Sequence, residues 1–221
     1  SARSFDASAT GIVSRQSALT PATLEPPGND GGRLVNEFDR QVDRLVSSGV
    51  HEAAAPGNRQ LGVDGLRDSL EALRPLCQDV GRTNDLVAGQ RFVLIPAPSS
   101  VDVELLVPTM TLAGGSRPGV LDRNHGTEGL SPYSALPDLG VPPDEPYVLV
   151  DVERGEEFCD VRPRDAVAEI AGRGRTPLTI LEGVVLQLVC PELLEKNRCF
   201  MLSGARRGDR GDDLPSGPHG H

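Results

Sequence analysis

Long apolar runs are missing from this sequence, and so is any excess of positive charge. A membrane-spanning helix needs about 20 consecutive apolar residues, whereas the most apolar run, residues 183–190, covers barely two helical turns. The formal net charge is −10, the opposite of the positive field that attracts phosphate groups. These absences predict a soluble protein that does not bind membranes and is unsuited to nucleic acid.

Recognisable signal and metal patterns are also lacking. Residues 1–33 contain no apolar segment followed by small residues, the mark of a secretory signal. The four cysteines never form a C-x-x-C pair, and no histidine stands at ligand spacing from them. Cys159 and Cys190 lie within apolar runs, which is typical of reduced, buried thiols. We therefore expect a cytoplasmic protein with no metal and no cofactor.

Biased composition marks both ends of the chain. Residues 1–33 mix Ser, Ala, Thr, Pro and Gly without lasting apolar periodicity, and residues 209–221 are rich in Gly, Asp, Pro and His. We predict a disordered arm over the first range, a single domain over residues 34–208 and a disordered tail. The Gly- and Pro-rich residues 113–146 are predicted to form a long irregular loop, either functional or partly disordered.

Apolar periodicity predicts helices on both sides of that loop. Residues 34–49 form the first amphipathic pattern, and a second helix, capped by Asp64, follows it. Pro163 suits the first turn of a later helix. Thr179 and Glu182 form a capping box before a nearly all-round apolar helix, which should be central to the core.

Strand patterns lie between and after these helices. Residues 92–95 are apolar, residues 101–105 alternate apolar with acidic side chains, and residues 147–153 give the strongest pattern. A tight turn should join that strand to residues 157–161 as a hairpin, and residues 199–202 form a last short strand. The predicted fold is α+β, with N-terminal helices followed by a small mixed or antiparallel sheet packed on a buried C-terminal helix.

The later half of the chain resembles a known group of sequences. The segments YVLVDV, GRTPLTILEG, PELLEKN and CFMLSGARRGDR, all within residues 146–210, resemble the C-terminal half of an actinobacterial family of uncharacterised proteins, a domain of unknown function. FDRQVDRLVSSG at residues 38–49 is similar to the opening helix of that family. The resemblance implies a shared fold unit over residues 34–210 and assigns no activity.

One departure from that family concerns the end of the chain. The family continues past the arginine-rich turn into a further segment with tryptophans, whereas this chain has no tryptophan and ends at His221. The resemblance thus implies that the last family elements are absent here. A truncated or frame-shifted gene product without independent function is one hypothesis that follows.

Arginines surround the start of the capped helix. Arg173 and Arg175 precede Thr179, and Arg206 and Arg207 follow the last strand. Free helix amides attract anions, and guanidiniums bind phosphate or carboxylate bidentately. These five residues are predicted to form an anion-binding site, although solvated arginines beside a capped helix would look the same. The glycine spacing matches neither the phosphate-binding loop nor the dinucleotide fingerprint.

Catalytic constellations are harder to assemble. Ser203 and Cys199 could serve as nucleophiles with His125 as base, but no G-x-S-x-G elbow surrounds Ser203. Asp102 and Glu104 stand two apart in a predicted strand, as acid–base or Mg²⁺ chemistry would require. Alternating acids are equally typical of any half-exposed strand. The catalytic residues are therefore unknown.

Two function classes remain beside the truncated product. The favoured one is a non-catalytic cytoplasmic interaction or regulatory module that binds an unknown protein partner. The alternative is a small enzyme or ligand binder for a phosphorylated or otherwise anionic metabolite, held by the predicted arginine site. The second class predicts that one anion raises the melting temperature and that Arg175→Ala removes this effect. The first class predicts neither result.

Overall fold

The chain folds into short strands and helices. The computed structural model describes residues 11–12, 14–15, 17–19, 32–77, 90–159, 161–194 and 200–208. In chain order the elements are β1 (Gly11–Ile12), β2 (Ser14–Arg15), β3 (Ser17–Leu19), α1 (Gly32–Ser47), α2 (Gly62–Glu71), β4 (Gln90–Ile95), α3 (Val103–Leu106), β5 (Tyr133–Ala135), β6 (Tyr147–Val152), α4 (Pro163–Gly172), β7 (Thr176–Pro177), α5 (Ile180–Val189), β8 (Phe200–Met201) and β9 (Ala205–Arg207). The fold is therefore α+β, as the sequence predicts.

The central sheet has three antiparallel strands in the order β3–β6–β4. All six residues of β6 are buried, because a strand with neighbours on both edges and helices against it has no side open to water. In its register Leu149 faces Ala18 on one edge and Val93 on the other. Small two-stranded pairings join β1 with β8, β2 with β7 and β5 with β9.

The N-terminal strands differ from the sequence-based expectation for residues 1–33. Periodicity gave no element there, yet β1, β2 and β3 pair with β8, β7 and β6 respectively. Strand pairing is made by backbone groups, and a Ser- and Ala-rich segment carries no apolar pattern that would predict it. Residues 209–221 lie outside the described part of the chain.

Helices α1 and α5 pack against the central sheet. Phe38 and Leu45 of α1 are buried in the main hydrophobic cluster together with the strands. Residues 182–189 of α5 are all buried, which confirms that this helix is central to the core. Burial of apolar surface on this scale stabilises a fold by roughly 25 cal/mol per Å².

Residues 101–105 do not form the predicted strand. Val101 makes a single bridge with Ala54, and the Asp102 carboxylate then accepts a hydrogen bond from the Glu104 backbone N–H at 3.0 Å. That bond caps the start of α3, so the local capping chemistry of Asp overrides the alternating pattern. Asp64 was likewise wrongly assigned as a cap: it lies inside the first turn of α2, whose N-cap position is Leu61.

The predicted hairpin between residues 147–153 and 157–161 is also wrong. Gly155 turns the chain with φ of 64°, and Glu156–Phe158 forms a single 3₁₀ turn. Both edges of β6 are already taken by β3 and β4, so no edge remains for a hairpin partner. Phe158 instead packs with Ala166 and Ile170 under α4 in a second small cluster.

The segment 113–146 contains local structure of its own. It holds β5 and the 3₁₀ turns Arg123–His125 and Pro137–Leu139.

Within the described part of the chain, no helix combines the length and apolarity that crossing a membrane requires.

Candidate functional site

Arg173 of the predicted anion site is held by two carboxylates. Its guanidinium forms an ion pair with Glu157 at 2.8 Å and another with Glu169, and it lies over the Phe158 ring at 5.0 Å from the centroid. Hydrogen bonding to Glu169 and then Glu157 raises the pKa of Arg173. These contacts fix the end of α4 against the turn that precedes it.

Arg175 supports the end of the central strand. Its Nη2 donates to the Asp151 carbonyl at 2.5 Å, and its Nη1 lies 3.6 Å from Glu153 Oε1. Asp151 is buried and has φ of 53°, a left-handed conformation that costs a non-glycine residue about 1–3 kcal/mol. The guanidinium thus binds the backbone at the strained position.

Thr179 begins α5 in the predicted capping box. The Glu182 Oε2 accepts from the Thr179 backbone N–H at 2.7 Å, and Thr179 Oγ1 accepts from the Glu182 backbone N–H at 3.3 Å. Glu182 is fully buried, and its Oε1 accepts from the Tyr147 hydroxyl at 3.0 Å. A carboxylate of the chain itself therefore occupies the place where the helix dipole would favour an anion.

Arg206 and Arg207 lie on β9, which pairs with β5. The Arg207 guanidinium forms an ion pair with Glu128. Arg206 is exposed. The arginines at 173, 175 and 207 are thus bound by different groups, and the structure does not gather them around one anion position. The five-residue site stays a prediction.

A surface groove lies beside the start of α5. It consists of a cavity of about 190 Å³ and an adjoining one of about 400 Å³. Both are lined by four residues, Val101, Val103, Leu130 and Tyr133. The smaller cavity adds Ile180 from α5 and Ala205 from β9 and is mainly apolar. We call these two cavities together the Tyr133 groove.

Glu104 fixes one wall of the Tyr133 groove. Its Oε1 accepts a hydrogen bond from the Leu130 backbone N–H, across 26 residues of sequence. Gly129 has φ of 58°, and its missing side chain leaves the space that the Glu104 carboxylate fills. A Cβ at this position would displace the carboxylate, so this glycine is required by both its conformation and its close approach.

Further contacts hold the loop between residues 122 and 135. Asp122 Oδ1 accepts from the Asn124 backbone N–H at 2.8 Å and caps the turn Arg123–His125. The His125 ring meets the Tyr133 ring edge-on, with centroids 5.7 Å apart. Pairing of β5 with β9 completes the wall. Tyr133 is therefore positioned from two sides while its ring lines the groove.

The larger cavity forms the acidic end of the Tyr133 groove. Asp102, Glu104 and Glu128 line it together with Pro56 and Ser131. Each acid bonds inside the chain through one carboxylate oxygen: Asp102 to the Glu104 N–H, Glu104 to the Leu130 N–H, and Glu128 to Arg207. No second bond to these three carboxylates is found within the described part of the chain.

The earlier nucleophile and metal hypotheses find no assembled site. Ser203 is buried, Cys199 lies outside the described residues, and the His125 Nδ1 is buried without a hydrogen-bond partner in the described structure. Among the residues that the structure describes, no three His, Cys, Asp or Glu side chains are grouped to hold a metal ion.

Sequence reasoning missed the Tyr133 groove as a unit. Tyr133 and Leu130 lie in the segment 113–146, where neither periodicity nor a motif singled out a residue. The sequence pairs Asp102 with Glu104 on one face of a predicted strand, whereas in the structure Asp102 caps α3 and Glu104 binds the Leu130 backbone. Only the Asp102 cap had a local signal in the sequence.

Comparison with known proteins places the chain in a group without an assigned activity. A family model described as a family of unknown function (DUF5701) matches residues 44–215. No curated protein and no solved structure matches the chain. The matched range contains both the Tyr133 groove and the central sheet apart from β3. The chain therefore belongs to the DUF5701 family of unknown function.

Proposed function

We propose that this chain is a non-catalytic interaction or regulatory module of the actinobacterial cytoplasm, and that it binds a protein partner through the Tyr133 groove. The observation that carries the proposal is a preformed apolar cavity whose walls come from four separate parts of the chain. Binding sites are typically concave, largely apolar and pre-formed. A groove fixed in this way binds without first having to order its own loops.

The internal bonds around the groove support binding rather than catalysis. Glu104 is engaged by the Leu130 backbone, and Glu128 by Arg207. Groups that hold the walls in place are poorly suited to transfer protons in each turnover, because every transfer would release a wall. The polar groups thus shape the site, and the apolar side chains offer the contact area.

The free thiols and the preference for arginine over lysine support a location in the reducing cytoplasm of an actinobacterium. Cys77, Cys159 and Cys190 are free; Cys77 and Cys190 are buried and Cys159 is half-buried. Buried free thiols are typical of proteins from reducing compartments. Lys196 is the only lysine among 22 basic residues. This preference for arginine is what a GC-rich genome produces, and it agrees with the actinobacterial resemblance.

Site-specific photocrosslinking tests the proposal. A photoreactive residue at Ser134, which is exposed and lines the groove, should crosslink to a discrete protein in extracts of the source organism. Adding Ala135→Arg, which puts a long side chain into the groove, should abolish that product. The same photoreactive residue at Ala168, exposed on α4, is the control. Equal products from both positions would contradict the proposal.

The alternative function, binding of a phosphorylated or anionic metabolite, is tested separately. It requires Arg173, Arg175, Arg206, Arg207 and Thr179 to act together, whereas three of these arginines are bound to different groups. A bound anion at about 100 times its dissociation constant would stabilise the fold by about 2.7 kcal/mol. A thermal melt with inorganic phosphate and sugar phosphates should show no such shift. A shift lost in Arg175→Ala would favour the alternative.

A further inference from the structure

The smaller cavity of the Tyr133 groove has the size of a single side chain. Its volume of about 190 Å³ is below the roughly 300 Å³ at which pockets for drug-sized molecules begin. Ile180, Leu130 and Ala205 give it an apolar lining. An apolar side chain of a partner can fill such a cavity and be removed from water there, which is how anchor residues work in protein interfaces.

The larger cavity selects the charge of the partner side chain that lies beside the apolar anchor. Asp102, Glu104 and Glu128 line it, and Arg207, which pairs with Glu128, is the one cation bonded to these acids in the described structure. These three carboxylates and the one guanidinium bound to them carry a net charge of −2 at the larger cavity, while Arg206 lies opposite Ser134 at the smaller one. The chain as a whole has a net charge of −10, which strengthens the attraction for cations and the repulsion of anions.

The internal bonds leave capacity for a new contact. Asp102 and Glu128 each use one oxygen, for the Glu104 N–H and for Arg207. A carboxylate accepts at both oxygens, so a lysine or arginine of a partner can bind the second oxygen without breaking the first bond. Such charge-assisted bonds are about twice as strong as neutral ones.

Resting on the proposed function, we infer that the Tyr133 groove binds an extended segment of a partner protein that presents an apolar side chain and, two positions along, a basic one. The apolar side chain fills the smaller cavity between Leu130 and Ile180. The basic side chain lies in the larger cavity against Asp102 and Glu128. The two cavities share Val101, Val103 and Tyr133. Side chains two positions apart in a strand-like segment lie on the same face, so one such pair reaches both cavities.

A displayed peptide library with a fixed leucine and randomised flanks tests this inference on the full chain. Selection should enrich lysine or arginine two positions before or after the leucine and deplete aspartate and glutamate there. Binding of the selected peptide, measured by fluorescence polarisation, should be lost in Ala135→Arg. It should persist in Ala168→Arg, which changes an exposed residue away from the groove.

A charge-matched pair of double variants tests the acidic end alone. Asp102→Asn with Glu128→Gln keeps the cap of α3 and an acceptor for Arg207 but removes two charges. We expect the selected peptide to bind about tenfold more weakly, as the loss of two partly exposed ion pairs predicts. Asp68→Asn with Glu192→Gln makes the same net change at exposed positions outside the groove and should leave the affinity within about twofold.

The outcomes separate this inference from the proposed function. Enriched acidic or uncharged peptides that still lose binding in Ala135→Arg would overturn the basic neighbour and leave the groove as the binding site. Peptides that bind equally to Ala135→Arg, or no enrichment at all, would overturn both. A dimer of the chain that Ala135→Arg dissolves would place a second copy in the groove and overturn the inference.

Discussion

At the scale of single residues, the side chain of Gln41 takes the place that another strand would occupy beside β4. Its Oε1 accepts from the Leu94 backbone N–H at 3.0 Å, and its Nε2 donates to the Phe92 carbonyl at 2.9 Å. Gln41 is fully buried. Its amide therefore binds one backbone donor and one backbone acceptor on the outer edge of β4. Without it these two buried groups would have no hydrogen-bond partner.

Replacing Gln41 by leucine should destabilise the fold strongly. Two buried backbone groups of β4 lose their partner, at about 1–3 kcal/mol each, so we expect the free energy of unfolding, measured with urea, to fall by about 2–6 kcal/mol. Gln60→Leu is the matched control, because Gln60 is exposed and makes one bond, to the Glu52 carbonyl. Equal effects of the two substitutions would show that Gln41 does not complete the sheet.

Cys190 gives a second residue-scale prediction, in which stability depends on pH. Burial and, to a smaller extent, Glu192 raise the pKa of its thiol from 9.0 to about 12, against a smaller lowering by Arg40. The folded state thus holds the thiol proton more tightly than the unfolded chain. The stability that the protonated Cys190 thiol contributes is therefore complete below about pH 9 and is lost as the pH rises toward about 12.

Urea unfolding at about pH 8 and about pH 10.5, with reductant present, measures this contribution. Between these values the free energy of unfolding should fall by about 2 kcal/mol more for the unaltered chain than for Cys190→Val, which packs similarly but cannot ionise. Burial also raises the pKa of Cys77, and that thiol is present in both proteins. An equal pH dependence of the two would show that Cys190 ionises freely in the folded state.

At the scale of elements, the sequence predicts an element well where one local signal dominates. Pro163 opens α4, and Thr179 with Glu182 caps α5, because a proline ring and a capping box each act within one helical turn. The strand β6 is equally clear, since five of its six residues are apolar or aromatic and Asp151 is the exception. No knowledge of the tertiary fold is needed for these three elements.

Elements were wrongly predicted where pairing partners decide the outcome. Residues 157–161 would suit a hairpin strand, but β3 and β4 occupy both edges of β6. That competition cannot be read locally, because β3 lies about 130 residues before β6 in the sequence. The Tyr133 groove is hidden for the same reason: the Glu104 bond to the Leu130 N–H depends on a distant loop turning back onto α3.

At the scale of the whole molecule, the N-terminal strands connect separate parts of the fold. β1 pairs with β8, β2 with β7 and β3 with β6. The three N-terminal strands thus pair with β6 at the centre of the sheet and with β7 and β8 from the C-terminal part of the domain. The domain predicted over residues 34–208 lacks all three pairings. Its stability without residues 1–33 therefore depends on how much free energy these pairings contribute.

We expect a fragment of residues 34–208 to be less stable than one of residues 11–208. Backbone hydrogen bonds contribute about 1 kcal/mol each, so losing β3 alone should lower the free energy of unfolding by about 3 kcal/mol. A bare β6 edge also invites pairing between molecules, which should appear as concentration-dependent association in analytical ultracentrifugation. The fragment 1–208, which removes only the predicted tail, is the control and should unfold like the full chain. If residues 34–208 unfold at the same urea concentration as residues 11–208, the N-terminal pairings add no stability and the core of α1, α5, β4 and β6 suffices by itself.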